Sequence, residues 1–180
     1  MNKDIQVITG CMFAGKTTEL LNRIKKANKT YLLLKPRTDV RNLGNRLTTH
    51  DGIDAQALTV DRVSDIFNQL EDIEVVAIDE AQFFDDSIIE DINYLVSNKI
   101  KLIIAGLDRD YLHQSFGPMQ KIIEISTSVS RLKAICNQCG NDAYYSHRLH
   151  NSNTQVLIGD SDQYEALCET CFTKKADYER

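Results

Sequence analysis

Eight consecutive residues, Gly10, Cys11, Met12, Phe13, Ala14, Gly15, Lys16 and Thr17, have the types and spacing of a phosphate-binding loop, G-x-x-x-x-G-K-[ST]. Glycines at both ends let the backbone curl with its N–H groups pointing inward, a nest for phosphate oxygens. In such a nest Lys16 reaches the β- and γ-phosphates and the Thr17 hydroxyl binds Mg²⁺. A helix opening at Thr17 adds its positive dipole end at the same place. The plain alternative is a glycine-rich turn, and only a strand–loop–helix context separates the two.

A second chemical signal follows the apolar run Val75, Val76, Ala77, Ile78, which ends in Asp79 and Glu80. Alone, such a pair is a polar strand end. Beside a phosphate loop it answers a need, because Mg·ATP requires an acidic partner for the metal. Asp79 is therefore assigned to Mg²⁺ with Thr17. Glu80, whose side chain leaves in a different direction, is the candidate general base for an oxygen attacking the γ-phosphorus. Water in that role makes an ATPase and an alcohol makes a kinase; the spacing does not choose.

The third signal is a pair of C-x-x-C motifs, Cys136 with Cys139 and Cys168 with Cys171. In a reducing compartment four such thiolates read as a tetrahedral Zn²⁺ site, the alternatives being redox thiols or unrelated buried cysteines. The 28 residues between the pairs exceed the common spacing, so the metal tethers a long excursion at its base. His147 and His150 are not needed as ligands, and Cys11 reads as a small loop residue. Residues 143–149 and 155–159 can be strands, and Tyr164 precedes Cys168 by four positions. Such an excursion either covers a planar ligand or is a small packing module.

Positioning these groups takes an α/β frame. Residues 4–9 predict a strand feeding the loop, and Leu20, Leu21, Ile24 and Ala27 recur at helical spacing after it. Further strands are predicted over 30–35, 57–60, 75–80 and 102–105. Val63, Ile66, Phe67 and Leu70 mark a short helix, and Ile88, Ile89, Ile92, Leu95 and Val96 a longer one. The alternation implies right-handed crossovers and a mainly parallel sheet with covered faces. Ligands bind beyond the carboxyl ends of such strands, where residues 10–17, 79–80 and 106–110 should converge. Residues 37–52 show little periodicity and read as a loop.

The chain has 180 residues, enough for one domain with an appendage, and 21 Lys plus Arg against 26 Asp plus Glu give a net charge of −5. That balance offers no general attraction to nucleic acid or an anionic membrane. No apolar run approaches the ~20 residues of a membrane span, and the first residues do not begin a signal peptide. A cytoplasmic protein is expected, and five cysteines there argue against a disulfide framework.

Residues 10–17 followed by Glu19 and Leu20 are joined by Thr49-His50-Asp51-Gly52, Asp79-Glu80-Ala81-Gln82-Phe83-Phe84 and Gly106-Leu107-Asp108-Arg109-Asp110-Tyr111. With Phe116-Gly117 and both cysteine pairs, these motifs resemble the type II thymidine kinases over almost the whole chain, in one unbroken order. The resemblance implies a RecA-like P-loop NTPase core over residues 1–131 and a zinc-stapled lasso domain over 132–180. It also implies transfer of the ATP γ-phosphoryl to the 5′-hydroxyl of thymidine or deoxyuridine. Glu80 matches the family's general base and Asp79 its Mg²⁺-associated carboxylate. Arg41 matches an arginine near the transferred phosphate, and Gln82 falls among the nucleotide-binding residues. Met12, Phe83, Leu107, Tyr111 and Phe116 match the nucleoside pocket, and Tyr164 the aromatic that contacts the base. Main-chain groups of Val156, Leu157, Ile158 and Gly159 match those that pair with thymine's imide edge. Tyr111 stands where Phe is frequent, and Asp160 where a second small residue is common. A homotetramer and end-product inhibition by thymidine triphosphate are implied as well.

A rival reading is an ATPase whose zinc ribbon grips nucleic acid, which calls for a cationic groove with stacking aromatics. Asp142, Asp160, Asp162, Glu165 and Glu169 around the ribbon weigh against it. A binding module with a degenerate nucleotide site fits badly, since Lys16, Thr17, Asp79 and Glu80 are all present.

Overall fold

A computed structural model describes residues 3–39, 46–48, 54–149 and 162–178. The chain opens with β1 (Ile5–Gly10), turns through the phosphate-loop motif into α1 (Lys16–Ala27) and returns in β2 (Tyr31–Pro36). Two short strands, β3 (Arg46–Thr48) and β4 (Asp54–Gln56), precede β5 (Leu58–Val60) and a 3₁₀ turn over Val63–Gln69. Next come β6 (Val75–Ile78), a second 3₁₀ turn at Ala81–Phe83, α2 (Ile88–Ser97), β7 (Lys101–Ala105), α3 (Met119–Ile125) and β8 (Ser128–Leu132).

These strands build a six-stranded sheet in the order β5-β2-β6-β7-β1-β8, with every neighbouring pair parallel. Parallel strands need both faces covered, and their residues divide accordingly. Val76, Ile78, Leu102 and Ile104 face α2 and α3, packing on Ile88, Ile92, Leu95, Met119 and Ile122. Val75, Ala77, Ile103 and Ala105 face α1 through Leu20, Leu21 and Ile24. The result is a three-layer α/β/α sandwich, the mainly parallel architecture expected from the alternation.

The rest of the described chain is smaller. β9 (Ala134–Ile135) pairs antiparallel with β10 (Asp142–Ala143), and β11 (Tyr145–Arg148) with β12 (Tyr164–Leu167), before α4 (Glu169–Tyr178). Its core of Ala134, Cys136, Ala143, Ala166 and Leu167 also takes in Cys11 and Ala14 from the phosphate-loop motif. No helix among the described residues is long and apolar enough to cross a membrane.

Three details depart from the sequence reading. Part of the stretch 37–52 is a strand, since β3 pairs with β4 and Leu47 is buried against the α1 face. The helix after the phosphate-loop motif starts at Lys16, one residue before Thr17. The stripe Val63, Ile66, Phe67, Leu70 belongs to a 3₁₀ segment, whose buried residues are Val63 and Ile66.

The loop leading into α3 presses on the turn after β6. Gly117 has φ +52°, and a Cβ there would lie 2.1 Å from the carbonyl oxygen of Gln82. Gly117→Ala should lower unfolding free energy by about 2–4 kcal/mol, from left-handed strain plus the clash. Urea denaturation checks it, and an unchanged midpoint would mean that the two segments part freely.

Candidate active site

Because β6, β7 and β1 are parallel neighbours, the segments that follow them leave from one edge of the sheet. Residues 10–17, 79–80 and 106–110 are those segments, so the expected convergence is present. At the first, Gly10 adopts φ +141° and a Cβ would meet the Leu132 carbonyl oxygen at 2.4 Å, a site that accepts only glycine. Phe13 and Gly15 also have positive φ, at 65° and 78°, and the chain curls before α1 begins. Lys16 Nζ donates to the Cys11 carbonyl at 2.7 Å, which sets its charge at the mouth of the curl.

Across β7, the Thr17 hydroxyl donates to Asp79 Oδ2 at 2.9 Å. Asp79 is buried, and burial followed by the neighbouring Glu80 carboxylate pushes its carboxyl up to about 7 despite that hydrogen bond. A hard cation bridging the hydroxyl and carboxylate would relieve this cost, so the pair fits Mg²⁺. Glu80 has left-handed backbone, φ +52°, which costs a non-glycine residue about 1–2 kcal/mol. Gln82 holds its side chain by donating to the Glu80 carboxylate, while Gln82 Oε1 accepts from the Leu107 N–H at 3.0 Å. One buried amide thus ties the candidate base to the loop after β7.

Beside these groups lies an apolar wall. Phe83 and Phe116 meet edge to face at 5.7 Å, and Leu107 and Phe116 are largely buried. The Met12 N–H donates to Ser146 Oγ of β11 at 3.0 Å, and the Cys11 thiol donates to the Ala143 carbonyl at 3.3 Å. Burial raises the Cys11 thiol above its ordinary range. Tyr111 and Tyr164 come together around Arg148, whose guanidinium contacts both. Arg41 and residues 156–159 (Val156, Leu157, Ile158, Gly159) lie outside the described residues.

The Sγ atoms of Cys136, Cys139, Cys168 and Cys171 all lie within 4.8 Å of one another. Burial raises the Cys136 thiol, but backbone N–H groups of Cys168, Gln138 and Cys139 outweigh it and bring it down to about 6. Four sulfur donors, one of them readily ionised, suit a divalent metal ion such as zinc.

Three participants were given no role of their own by the sequence, although Asp108 lies in the segment 106–110 expected at this edge. Ser146 and Arg148 approach the site only through the pairing of β11 with β12. Asp108 accepts from the Thr9 hydroxyl at 2.8 Å and pairs with Arg131, joining β1, β8 and the loop after β7. Burial raises its carboxyl, yet Thr9 and Arg131 together hold it below the ordinary value. Regular alternation in a strand over 143–149 was the one clue to Ser146 and Arg148 sharing a face.

Comparison with known proteins matches residues 3–172 to the family model described as thymidine kinase. The chain is 40% identical over 179 residues to a thymidine kinase of Bacteroides fragilis, covering 98% of this chain and 90% of that protein. It is 42% identical over 176 residues to a thymidine kinase of Mycoplasmoides gallisepticum, covering 91% of this chain and 78% of the relative. A solved Bacteroides Pif1 chain bound to single-stranded DNA has 16% identity and a TM-score of 0.36, covering 69% of this chain and 32% of its own, too slight a likeness to carry weight.

Asp79 gives the metal-free protein a pH dependence. Between the ordinary 3.8 and about 7 the folded state holds a proton that the unfolded chain has lost. Stability from this group is therefore highest at the acid end of that window, falls as pH rises through it and is level above. Urea midpoints measured without Mg²⁺ should decline between about pH 5 and about pH 7.5, and Asp79→Asn should flatten the decline. Equal slopes in the two proteins would remove Asp79 as the source.

Proposed function

The chain belongs to the thymidine kinase family, and we propose that it transfers the γ-phosphoryl group of ATP to the 5′-hydroxyl of thymidine or deoxyuridine, with Glu80 as general base. The observation that carries this reading is the Thr17–Asp79 hydrogen bond at 2.9 Å, with Glu80 the next residue in the chain. It supports reading residues 10–17 as the phosphate cradle, Thr17 with Asp79 as the metal pair and Glu80 as the proton acceptor, all at one sheet edge.

In this reading the N–H groups of residues 10–17 and the Lys16 ammonium hold the triphosphate. Mg²⁺, when bound, neutralises charge on the phosphate oxygens, and Thr17 and Asp79 are the residues that would hold it. Glu80 takes the proton from the 5′-hydroxyl as that oxygen attacks, and the hydrogen bond from Gln82 keeps its carboxylate aimed. Phe83, Leu107 and Phe116 form an apolar wall for a nucleoside, and the family resemblance adds Met12, Tyr111 and Tyr164 to its pocket. Arg41 at the transferred phosphate and main-chain pairing of the base by residues 156–159 rest on family resemblance. So do a homotetramer, inhibition by thymidine triphosphate and a cytoplasmic location. The rival reading, an ATPase acting on nucleic acid, has no observation among the described residues in its favour.

Zinc is the metal we assign to Cys136, Cys139, Cys168 and Cys171, in a structural role, because no open coordination position is left once four thiolates bind. Residues 132–180 are read as the domain it staples, and residues 1–131 as the nucleotide-binding domain.

With Mg·ATP the purified protein should form thymidine monophosphate, with ATP loss dependent on nucleoside; ATP turnover driven by DNA instead would overturn the kinase reading. Glu80→Gln should cut turnover by about 10²–10⁴-fold, and wild-type turnover in that variant would take Glu80 out of the role. Elemental analysis should find one zinc per chain, lost in Cys136→Ser. Fully active, metal-free protein would refute the structural assignment.

A further inference from the structure

β11 presents two faces with different business. Side chains two apart on a strand share a face, so Ser146 and Arg148 look one way and Tyr145 and His147 the other. On the second face Tyr145 stacks on His113 at 4.4 Å and on Phe172 at 4.7 Å, while His147 pairs with Glu165 at 3.1 Å. That side is packing. On the first face Ser146 receives the Met12 N–H of the phosphate loop, so Arg148 looks toward the same site.

Arg148 is only 6% exposed, a costly place for a charge unless its contacts repay it. Its Cζ lies 3.7 Å from the centroid of the Tyr111 ring, within cation–π range. Its Nη2 donates to the Tyr164 hydroxyl at 2.9 Å, and Cζ stands 5.5 Å from that ring's centroid. The two rings arrive from different parts of the fold. Tyr111 sits in the loop between β7 and α3, which also carries Leu107 and Phe116, whereas Tyr164 opens β12 directly opposite Arg148. One planar cation therefore joins them.

We propose that Arg148 is a positioning residue for the nucleoside: by holding the Tyr111 ring and the Tyr164 hydroxyl on one guanidinium, it fixes the spacing of the aromatic groups against which a flat base lies. This rests on the reading of the site as a nucleoside kinase. Its effect falls on the affinity for nucleoside, since Tyr111 shares the β7–α3 loop with Leu107 and Phe116 of the apolar wall and Tyr164 is joined to it through the same guanidinium. Lysine is no substitute, because a point charge on a flexible stem cannot face one ring and bond the other's hydroxyl in a fixed plane.

Initial rates of purified, zinc-loaded wild type, Arg148→Lys, Arg148→Gln, Tyr164→Phe and the double variant Arg148→Gln/Tyr164→Phe test this, varying thymidine at saturating Mg·ATP and then the reverse. Both Arg148 variants should raise KM for thymidine about tenfold or more and leave kcat and KM for ATP within about threefold. Tyr164→Phe should produce part of that rise, and the double variant no more than Arg148→Gln alone. Additive effects, an unmoved KM for thymidine in Arg148→Gln, rescue by lysine, or a parallel shift in both KM values and kcat would overturn the proposal. Should the Arg148 variants not fold, Tyr164→Phe, which deletes a single oxygen, decides: a raised KM for thymidine alone upholds the proposal, and unchanged kinetics overturn it. Wild-type protein that spends ATP without phosphorylating thymidine overturns the kinase reading instead, before any variant is compared.

Discussion

A hydroxyl on α1 and a carboxylate at the end of β6 meet across an intervening strand, and the arrangement of the site depends on that reach. The sheet order places β7 between β1 and β6, so the Thr17–Asp79 hydrogen bond spans non-neighbouring strands. It forms only if all three strands hold register, with Ile8 beside Ala105 and Ile78 beside Ile104. The apolar layers on both faces supply that rigidity. In exchange the site holds an Asp79 carboxyl pushed upward by burial, beside left-handed backbone at Phe13 and Glu80. Asn28, Asp72, Lys99 and His113 share that left-handed backbone away from the acid pair, so what sets the site apart is the buried carboxyl.

The cysteine-bearing part of the chain is more than an appendage to this scaffold. Cys11 and Ala14 pack into the same small core as Cys136 and Phe172, and two hydrogen bonds tie residues 11 and 12 to residues 143 and 146. A loop that must present its own N–H groups inward has few internal contacts to stiffen it. Packing from outside does the stiffening here, so a metal ion held by Cys136, Cys139, Cys168 and Cys171 would also bear indirectly on the loop of residues 10–17.

Much of this was legible in the sequence because the chemistry is written locally. A phosphate-loop motif, an acid pair after an apolar strand and paired cysteines each need residues at fixed short spacing. The fold brings the first two to one sheet edge and the four thiols together. Strands β6 and β7, buried on both sides, read as unbroken apolar runs. What escaped notice was set by tertiary contact. β8, at the sheet edge, keeps Ser128 and Val129 exposed and shows no apolar run; α3 is only seven residues long; and β3 is a three-residue strand inside a polar stretch. Arg148 looked like any strand-end cation until pairing with β12 set it beside Tyr164. The left-handed turn at Glu80 has no glycine to announce it.

The topology also has a consequence for manufacture. Of the six strands in the parallel sheet β1 leaves the ribosome first, yet its two neighbours, β7 and β8, are the last two of the six to emerge. Ile5 waits for Leu102, and Gly10 for Leu132, whose backbone closes over it. A nascent chain therefore displays its whole phosphate motif long before that motif has a wall to lean on, with open strand edges that invite mispairing. Ribosomal stalling between residues 18 and 127 would leave a polypeptide that carries the motif without the Leu132 backbone that closes over Gly10.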